Sequence, residues 1–194
     1  MKNIVTIALV FSIFIVNLQA QEKTVLGIKG GLSLSNITYD YFSDTNNRTG
    51  FFIGLYSEIQ LNNTFSLQPE ILYANQGNEA SEILLGGSRE IDFKLDYLQI
   101  PLVLKFYFLD GFSVHAGPAF NFLLNQNVSY GNNEESDVVK HFDFSAFTGL
   151  SYKVLGNFEL TARYIQGFTH ILDDGNSGER AKNNAFQIGV GYKF

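Results

Sequence analysis

Apolar residues take every second position along most of the chain beyond residue 23. Eight stretches carry the alternation: 24 to 35, 50 to 60, 64 to 76, 89 to 108, 112 to 124, 141 to 153, 157 to 168 and 186 to 194. A period of two is that of a strand whose two faces meet different surroundings. In the first stretch Leu26, Ile28, Leu32 and Leu34 oppose Lys29, Gly31 and Ser33. In the last, Phe186, Ile188, Val190, Tyr192 and Phe194 oppose Gln187, Gly189, Gly191 and Lys193. Each stretch has roughly the 9 to 11 residues that a tilted strand needs to cross a bilayer, or slightly more.

The connections alternate in length. Short turns are expected at Asn62-Asn63, Asp110-Gly111 and Gly156-Asn157, and long polar loops over 36–49, 77–88, 125–140 and 169–184. That alternation predicts an all-β fold: an eight-stranded antiparallel up-and-down transmembrane β-barrel with short periplasmic turns and long extracellular loops. The polar face of most strands holds Gly, Ser, Gln and charges, which would make a poor dry core, so the apolar face is expected to look at lipid. Aromatics fall at the strand ends, with Phe65, Phe106, Phe112, Tyr152, Phe158, Tyr192 and Phe194 on the turn side and Phe51, Tyr73, Phe122, Phe142 and Phe168 on the loop side. These are candidate interfacial girdles. Pro69, Pro101 and Pro118 fall inside strands, where a missing donor predicts bulges. The fourth stretch changes its apolar parity near Asp96, which predicts either a bulge there or a hairpin rising above the bilayer.

Composition agrees with membrane residence. The chain has 19 Phe, 10 Tyr and no Trp, with a mean hydropathy of +0.02. Residues 1–20 read as a cleaved signal peptide, with Lys2 before an apolar run from Ile4 to Val16 and a small-residue site ending at Ala20. That run is shorter than the roughly 20 residues of a spanning helix. Residues 21–194 then form one barrel domain exported by the Sec route. The absence of Cys rules out disulfides, thiolate sites and a lipobox. Beyond the N-terminus no apolar run approaches a spanning helix, so any crossing falls to strands, and only a closed barrel satisfies their backbone groups in lipid.

The inward face carries Lys29, Glu58, Glu70, Lys105, His115, Asp143, Lys153, Glu159, Arg163 and Lys193. An eight-stranded barrel is only wide enough for side chains to fill, and unpaired buried charge is costly. These residues are therefore expected to form a structural network of paired charges, with Glu70 and Arg163, on opposite walls near mid-strand, as its plug. The four long loops, with Arg89 and Glu90 just past the second, hold eleven acidic residues (Asp40, Asp44, Glu79, Glu82, Glu90, Glu134, Glu135, Asp137, Asp173, Asp174, Glu179) and five basic ones (Arg48, Arg89, Lys140, Arg180, Lys182), an excess equal to the formal net charge of −6. Such a mouth suits lipopolysaccharide bridged by divalent cations, or a basic partner. No basic stripe points to nucleic acid.

Catalytic and cofactor signals are thin. His115, His141 and His170 lie on different strands or loops, and Asp143 with Ser145 beside His141 is the set that a lipid-modifying hydrolase or acyltransferase at the outer mouth would use. The non-enzymatic reading is preferred to that alternative. DDGNSGE at 173–179 lacks the spacing of a calcium loop. Gly30-Gly31 and Gly189-x-Gly191 precede no helix and read as strand glycines that relieve crowding inside a small barrel. Neither a cofactor nor a metal is expected.

GIKGGLSLSNI at 27–37, SLQPEILYANQG at 66–77, LDYLQIPLVLKFYF at 95–108, HAGPAF at 115–120 and FQIGVGYKF at 186–194 resemble the PorT-like outer-membrane β-barrel family of Bacteroidetes. The resemblance runs over nearly all of residues 21–194. It implies an eight-stranded barrel in the outer membrane of a Gram-negative bacterium, inserted by the barrel assembly machinery. In such proteins that machinery reads a final strand ending on an aromatic residue, so Phe186, Ile188, Val190, Tyr192 and Phe194 would serve as the insertion signal. The family's namesake takes part in secretion and gliding, a role that the fold alone does not carry over.

Overall fold

The computed structural model describes residues 24–39, 46–84, 87–130, 133–135, 140–169 and 181–194. The expected signal peptide lies outside them. The strands are β1 (Thr24–Tyr39), β2 (Asn46–Gln60), β3 (Phe65–Leu84), β4 (Gly87–Leu109), β5 (Phe112–Tyr130), β6 (Asn133–Glu135), β7 (Phe142–Lys153), β8 (Phe158–Gly167) and β9 (Ala181–Lys193). All pairing is antiparallel, between chain neighbours except that β5 pairs with β7 past the short β6, and β1 pairs with β9, so eight strands close into an up-and-down barrel. β6, which the sequence pattern did not predict, is a short flap on the outer end of β5.

Closure fixes the tilt of the strands. Stepping through paired residues from Thr24 to Ile59, Leu67, Leu104, Ala116, Thr148, Tyr164 and Phe186 returns to β1 at Leu34, ten residues further along. A stagger larger than the strand number inclines the strands steeply to the axis, and eight strands enclose a lumen just wide enough for side chains to fill.

Leu102, Leu150, Leu160 and Ile188 stand on the outer wall, 40 to 58% exposed. The opposite parity is buried. Two rings of outward aromatics bound the apolar band. Phe65 with Phe106, Phe112 with Tyr152, and Phe158 with Tyr192 pack at the turn end, with ring centroids 5.3, 4.2 and 5.0 Å apart. Phe51 with Tyr73, Phe120 with Phe144, and Phe122 with Phe142 do so at the other end.

The tight turns fall where the sequence put them. Asn62 Oδ1 accepts from the backbone amides of Thr64 and Phe65. Gly111 and Gly156 take φ of +78° and +59°, the left-handed region that glycine enters at no steric cost.

Four expectations change at the other end and inside. The strands are longer than the apolar pattern indicated: β3 and β4 stay paired up to Leu84 opposite Gly87, so most of the expected 77–88 loop is ladder. Residues 77–84 carry no apolar alternation that would mark them as strand. The prolines cause no bulge. Pairing keeps one register on either side of Pro69, Pro101 and Pro118, which sit on adjacent strands where the ladder has short gaps. The register shifts lie instead between Asn47 and Phe52 in β2, and in the β4–β5 pairing at Asp96/Tyr97 and at Tyr107/Leu109.

β4 does not change face, because its odd residues point inward from Leu95 to Lys105. Leu95 and Tyr97, both 0% exposed, form an apolar core inside the rising hairpin, the second of the two readings above. Finally, Lys153 is exposed at the end of β7 instead of filling the interior.

Candidate functional site

Neighbouring strands deliver inward residues in layers, and the layers differ in chemistry. Lowest, toward the turns, lie Glu58 of β2, Lys105 of β4, Glu159 of β8 and Lys193 of β9. Lys105 donates to Glu159 at 2.6 Å and to Glu58 at 3.5 Å. Lys193 stands 2.7 Å from Glu58 and 3.3 Å from Glu159. Each lysine thus meets both glutamates, an alternation of charge that offsets the cost of removing all four from water. The Tyr107 and Ser66 hydroxyls also donate to Glu58.

One step up, Glu70 of β3 is the hub of a second cluster. Arg163 of β8 reaches across the lumen and donates from Nη1 and Nη2 to the two carboxylate oxygens, each at 3.0 Å. Lys29 of β1 donates to Oε1 at 2.9 Å and Gln68 at 2.6 Å. A planar fork meeting a carboxylate on two bonds fixes orientation as well as charge. His115 of β5 lies beside this layer, its Nδ1 3.1 Å from Ser151 Oγ.

Above the ions comes an apolar septum that the sequence pattern did not expose. Val103, Ala119, Phe147, Ile165 and Ala185 form one buried cluster, and Phe52, Leu72 and Ala74 a second. The Phe147 ring lies 4.8 Å from the Arg163 guanidinium and links septum to plug. The signal was present in the sequence as apolar residues on the polar parity of their strands.

Glycines make room for the bulky inward rings. A Cβ on Gly189 would stand 2.6 Å from the Phe52 ring and 2.7 Å from the Gly30 carbonyl, and one on Gly27 would stand 2.4 Å from the Tyr56 ring. Gly189→Val is therefore expected to cost about 1–3 kcal/mol by overpacking, read as a lower midpoint for loss of the fast-migrating folded band on gels. Phe52→Ala in the same chain should return part of it.

At the outer mouth Asn121 donates to Ser145 at 2.9 Å and to Asp143 at 3.4 Å. Thr169 also donates to Asp143, and its hydroxyl accepts from the Phe144 amide at 2.8 Å. Asp143 and Ser145 thus meet through Asn121, and His141 is exposed. His170 lies outside the described residues. His115 meets a serine, but its Nε2 has no hydrogen-bond partner. Among the described residues no group of three or more His, Cys, Asp or Glu is placed to hold a metal ion.

Phe186, Ile188, Val190 and Tyr192 of the expected insertion signal face outward on β9, and Phe194, exposed just past it, donates its backbone amide to Leu26 at 2.9 Å. Of the loop acids, Glu79, Glu82, Glu90, Glu134 and Glu135 stand in the outer ends of β3, β4 and β6. Asp40, Asp44, Asp137, Asp173, Asp174 and Glu179 lie outside the described residues.

Over residues 19–173 the sequence matches the family described as outer membrane protein beta-barrel domain. Among curated proteins none matches. Solved structures of the same fold include Neisserial surface protein A, at 16% identity over 89% of this chain and 100% of that one, with a TM-score of 0.62. Ail, the attachment invasion locus protein of Yersinia pestis, aligns at 19% identity over 89% and 99%, with a TM-score of 0.56. Ail in complex with the heparin analogue sucrose octasulfate aligns at 20% over the same shares, with a TM-score of 0.57. At these identities the likeness is one of fold.

Proposed function

Because the chain belongs to the outer membrane protein beta-barrel domain family, and so resides in the outer membrane, we propose that it is a plugged, non-enzymatic barrel whose outer surface does its work. The observation that carries this reading is the filled lumen: a lower ion cluster around Lys105, and above it the Glu70 cluster, whose Arg163 lies against Phe147 of the apolar residues above. A lumen filled by side chains, with its charges paired, opposes the passage of water and ions. In planar bilayers with potassium chloride on both sides, the reconstituted protein is expected to give a flat baseline. Discrete conductance steps would overturn the plug.

The turns face the periplasm and the long hairpins the exterior, the arrangement of outer-membrane barrels. Within the family we place the chain with the PorT-like barrels of Bacteroidetes on the motifs quoted above, exported by Sec and inserted through an outward, aromatic-ended β9. A secretion or gliding partner would meet the outer surface or the periplasmic rim. The excess of acids over bases in 36–49, 77–88, 125–140 and 169–184 favours cationic groups there, either divalent ions bridging lipopolysaccharide or a basic protein segment. It disfavours a polyanion such as the sucrose octasulfate in the Ail complex. Crosslinking in intact outer membranes tests this. A captured partner presenting an acidic surface would count against it.

A further inference from the structure

Where the greasy outer wall ends, the outward side chains turn from apolar to amide, and they do so in register from strand to strand. Across β2, β1, β9 and β8 run Asn47, Asn36, Asn184 and Gln166, with Asn36 donating to Asn47 at 2.9 Å and Gln166 to Asn184 at 2.7 Å. Across β3, β4 and β5 run Asn75, Asp96 and Asn125, paired in register; Asn75 donates to one Asp96 oxygen at 2.6 Å and Asn125 to the other at 3.5 Å. Together the two rows cover seven of the eight barrel strands. Uncompensated polar groups are costly in hydrocarbon, so the rows mark the level at which outer-leaflet headgroups begin.

The row on β3 to β5 differs from the other in chemistry. It holds a carboxylate between two amides, and one outward step below Asn75 lies the Tyr73 ring, 5.7 Å from that of Phe51. A carboxylate accepts from two neighbouring hydroxyls, amides both donate and accept, and an aromatic face covers the C–H side of a pyranose ring. A headgroup that is only a phosphate would be repelled by Asp96. We infer that Asn75, Asp96 and Asn125 hold the sugar headgroup of an outer-leaflet glycolipid, whose acyl chains run down the wall past Tyr73 and Phe51. The site is continuous with the lipid-facing band and rests on the orientation proposed above, with the turns in the periplasm.

The test refolds the full chain in phosphatidylglycerol vesicles with and without rough lipopolysaccharide and reads the thermal midpoint of the folded band. Lipopolysaccharide raises the midpoint of the wild type and of Asn36→Leu, on the other row. Asp96→Asn and the double variant Asn75→Leu/Asp96→Leu lose most of that rise while keeping their midpoint in phosphatidylglycerol alone. Lipopolysaccharide co-purifying with Asp96→Leu falls about tenfold, the factor for one charge-assisted hydrogen bond of about 1.4 kcal/mol. An equal rise in the Asp96 variants, or an equal rise when the added lipid is more phosphatidylglycerol, overturns the sugar site and leaves the barrel intact. Failure of every form to insert would instead sink the membrane reading itself.

Discussion

Glu70→Ala lowers the unfolding free energy further than Arg163→Ala does, by about 5 against about 3 kcal/mol, the two ends of the range for breaking a buried ion pair. The asymmetry follows from the cluster's stoichiometry. Removing Arg163 leaves Glu70 with Lys29 at 2.9 Å and Gln68 at 2.6 Å, so the carboxylate keeps a cation and a donor. Removing Glu70 leaves Arg163 and Lys29 facing one another without the carboxylate that both had bonded. Both groups sit where the barrel is too narrow to admit compensating bulk water, and neither can snorkel to an end. In the double variant Arg163 is no longer left unpaired and only Lys29 lacks its carboxylate, so the cost falls short of the sum of the singles, by about 2 kcal/mol for groups in direct contact. Reversible urea unfolding in lipid vesicles, followed by tryptophan-free probes such as tyrosine emission or gel mobility, measures all three. Strictly additive losses would refute the coupling, and a milder Glu70→Ala than Arg163→Ala would show that Lys29 does not share the carboxylate.

The outer wall was legible because alternation is enforced wherever one face meets hydrocarbon: a single misplaced charge there is expensive, so the pattern from Leu26 to Leu34 or from Phe186 to Tyr192 is clean. The inner face obeys a weaker rule. It must fill volume and pair its charges, and it can do so with Phe52 or Ile165 as well as with Gln187, which is why the septum was hidden on the polar parity. Glu70 and Arg163 were found as two mid-strand charges on opposite walls. The lower cluster was not resolved into partners, because which lysine of β4 or β9 meets which glutamate of β2 or β8 depends on the ten-residue stagger, and that is set by pairing register. The outer hairpins failed for the opposite reason. Residues 77–84 of β3 carry no apolar period, so polar ladder and polar loop read alike there, although Ile91, Phe93 and Leu95 keep one on β4. At the prolines, a lost donor proved cheaper than a register shift that would turn every later side chain of the strand to the wrong face.

Ile188→Arg is expected to cost about 2–4 kcal/mol, the penalty of a guanidinium near the midplane on the lipid face of a barrel, whereas Leu155→Arg should cost no more than about 1. Ile188 is 53% exposed on β9, two outward steps from Tyr192 in the turn-side ring and one from Phe186 at the other end. An arginine there lies among the middle residues of the outward face, between Phe186 and Tyr192. Leu155 is 78% exposed in the turn after β7, beyond Tyr152, where a guanidinium meets water or headgroups at once. Both residues stand on the outside and only the depth of Ile188 makes its substitution costly, whereas on a soluble surface both arginines would be nearly neutral changes. The ordering depends on depth alone and separates this wall from a barrel with its apolar side inward, in which Ile188→Arg would collapse a core and exceed the lipid value. Unfolding in vesicles of two thicknesses sharpens the comparison: the Ile188→Arg cost should grow with the thicker bilayer while that of Leu155→Arg stays flat. Equal costs for the two substitutions would mean that hydrocarbon does not surround Ile188.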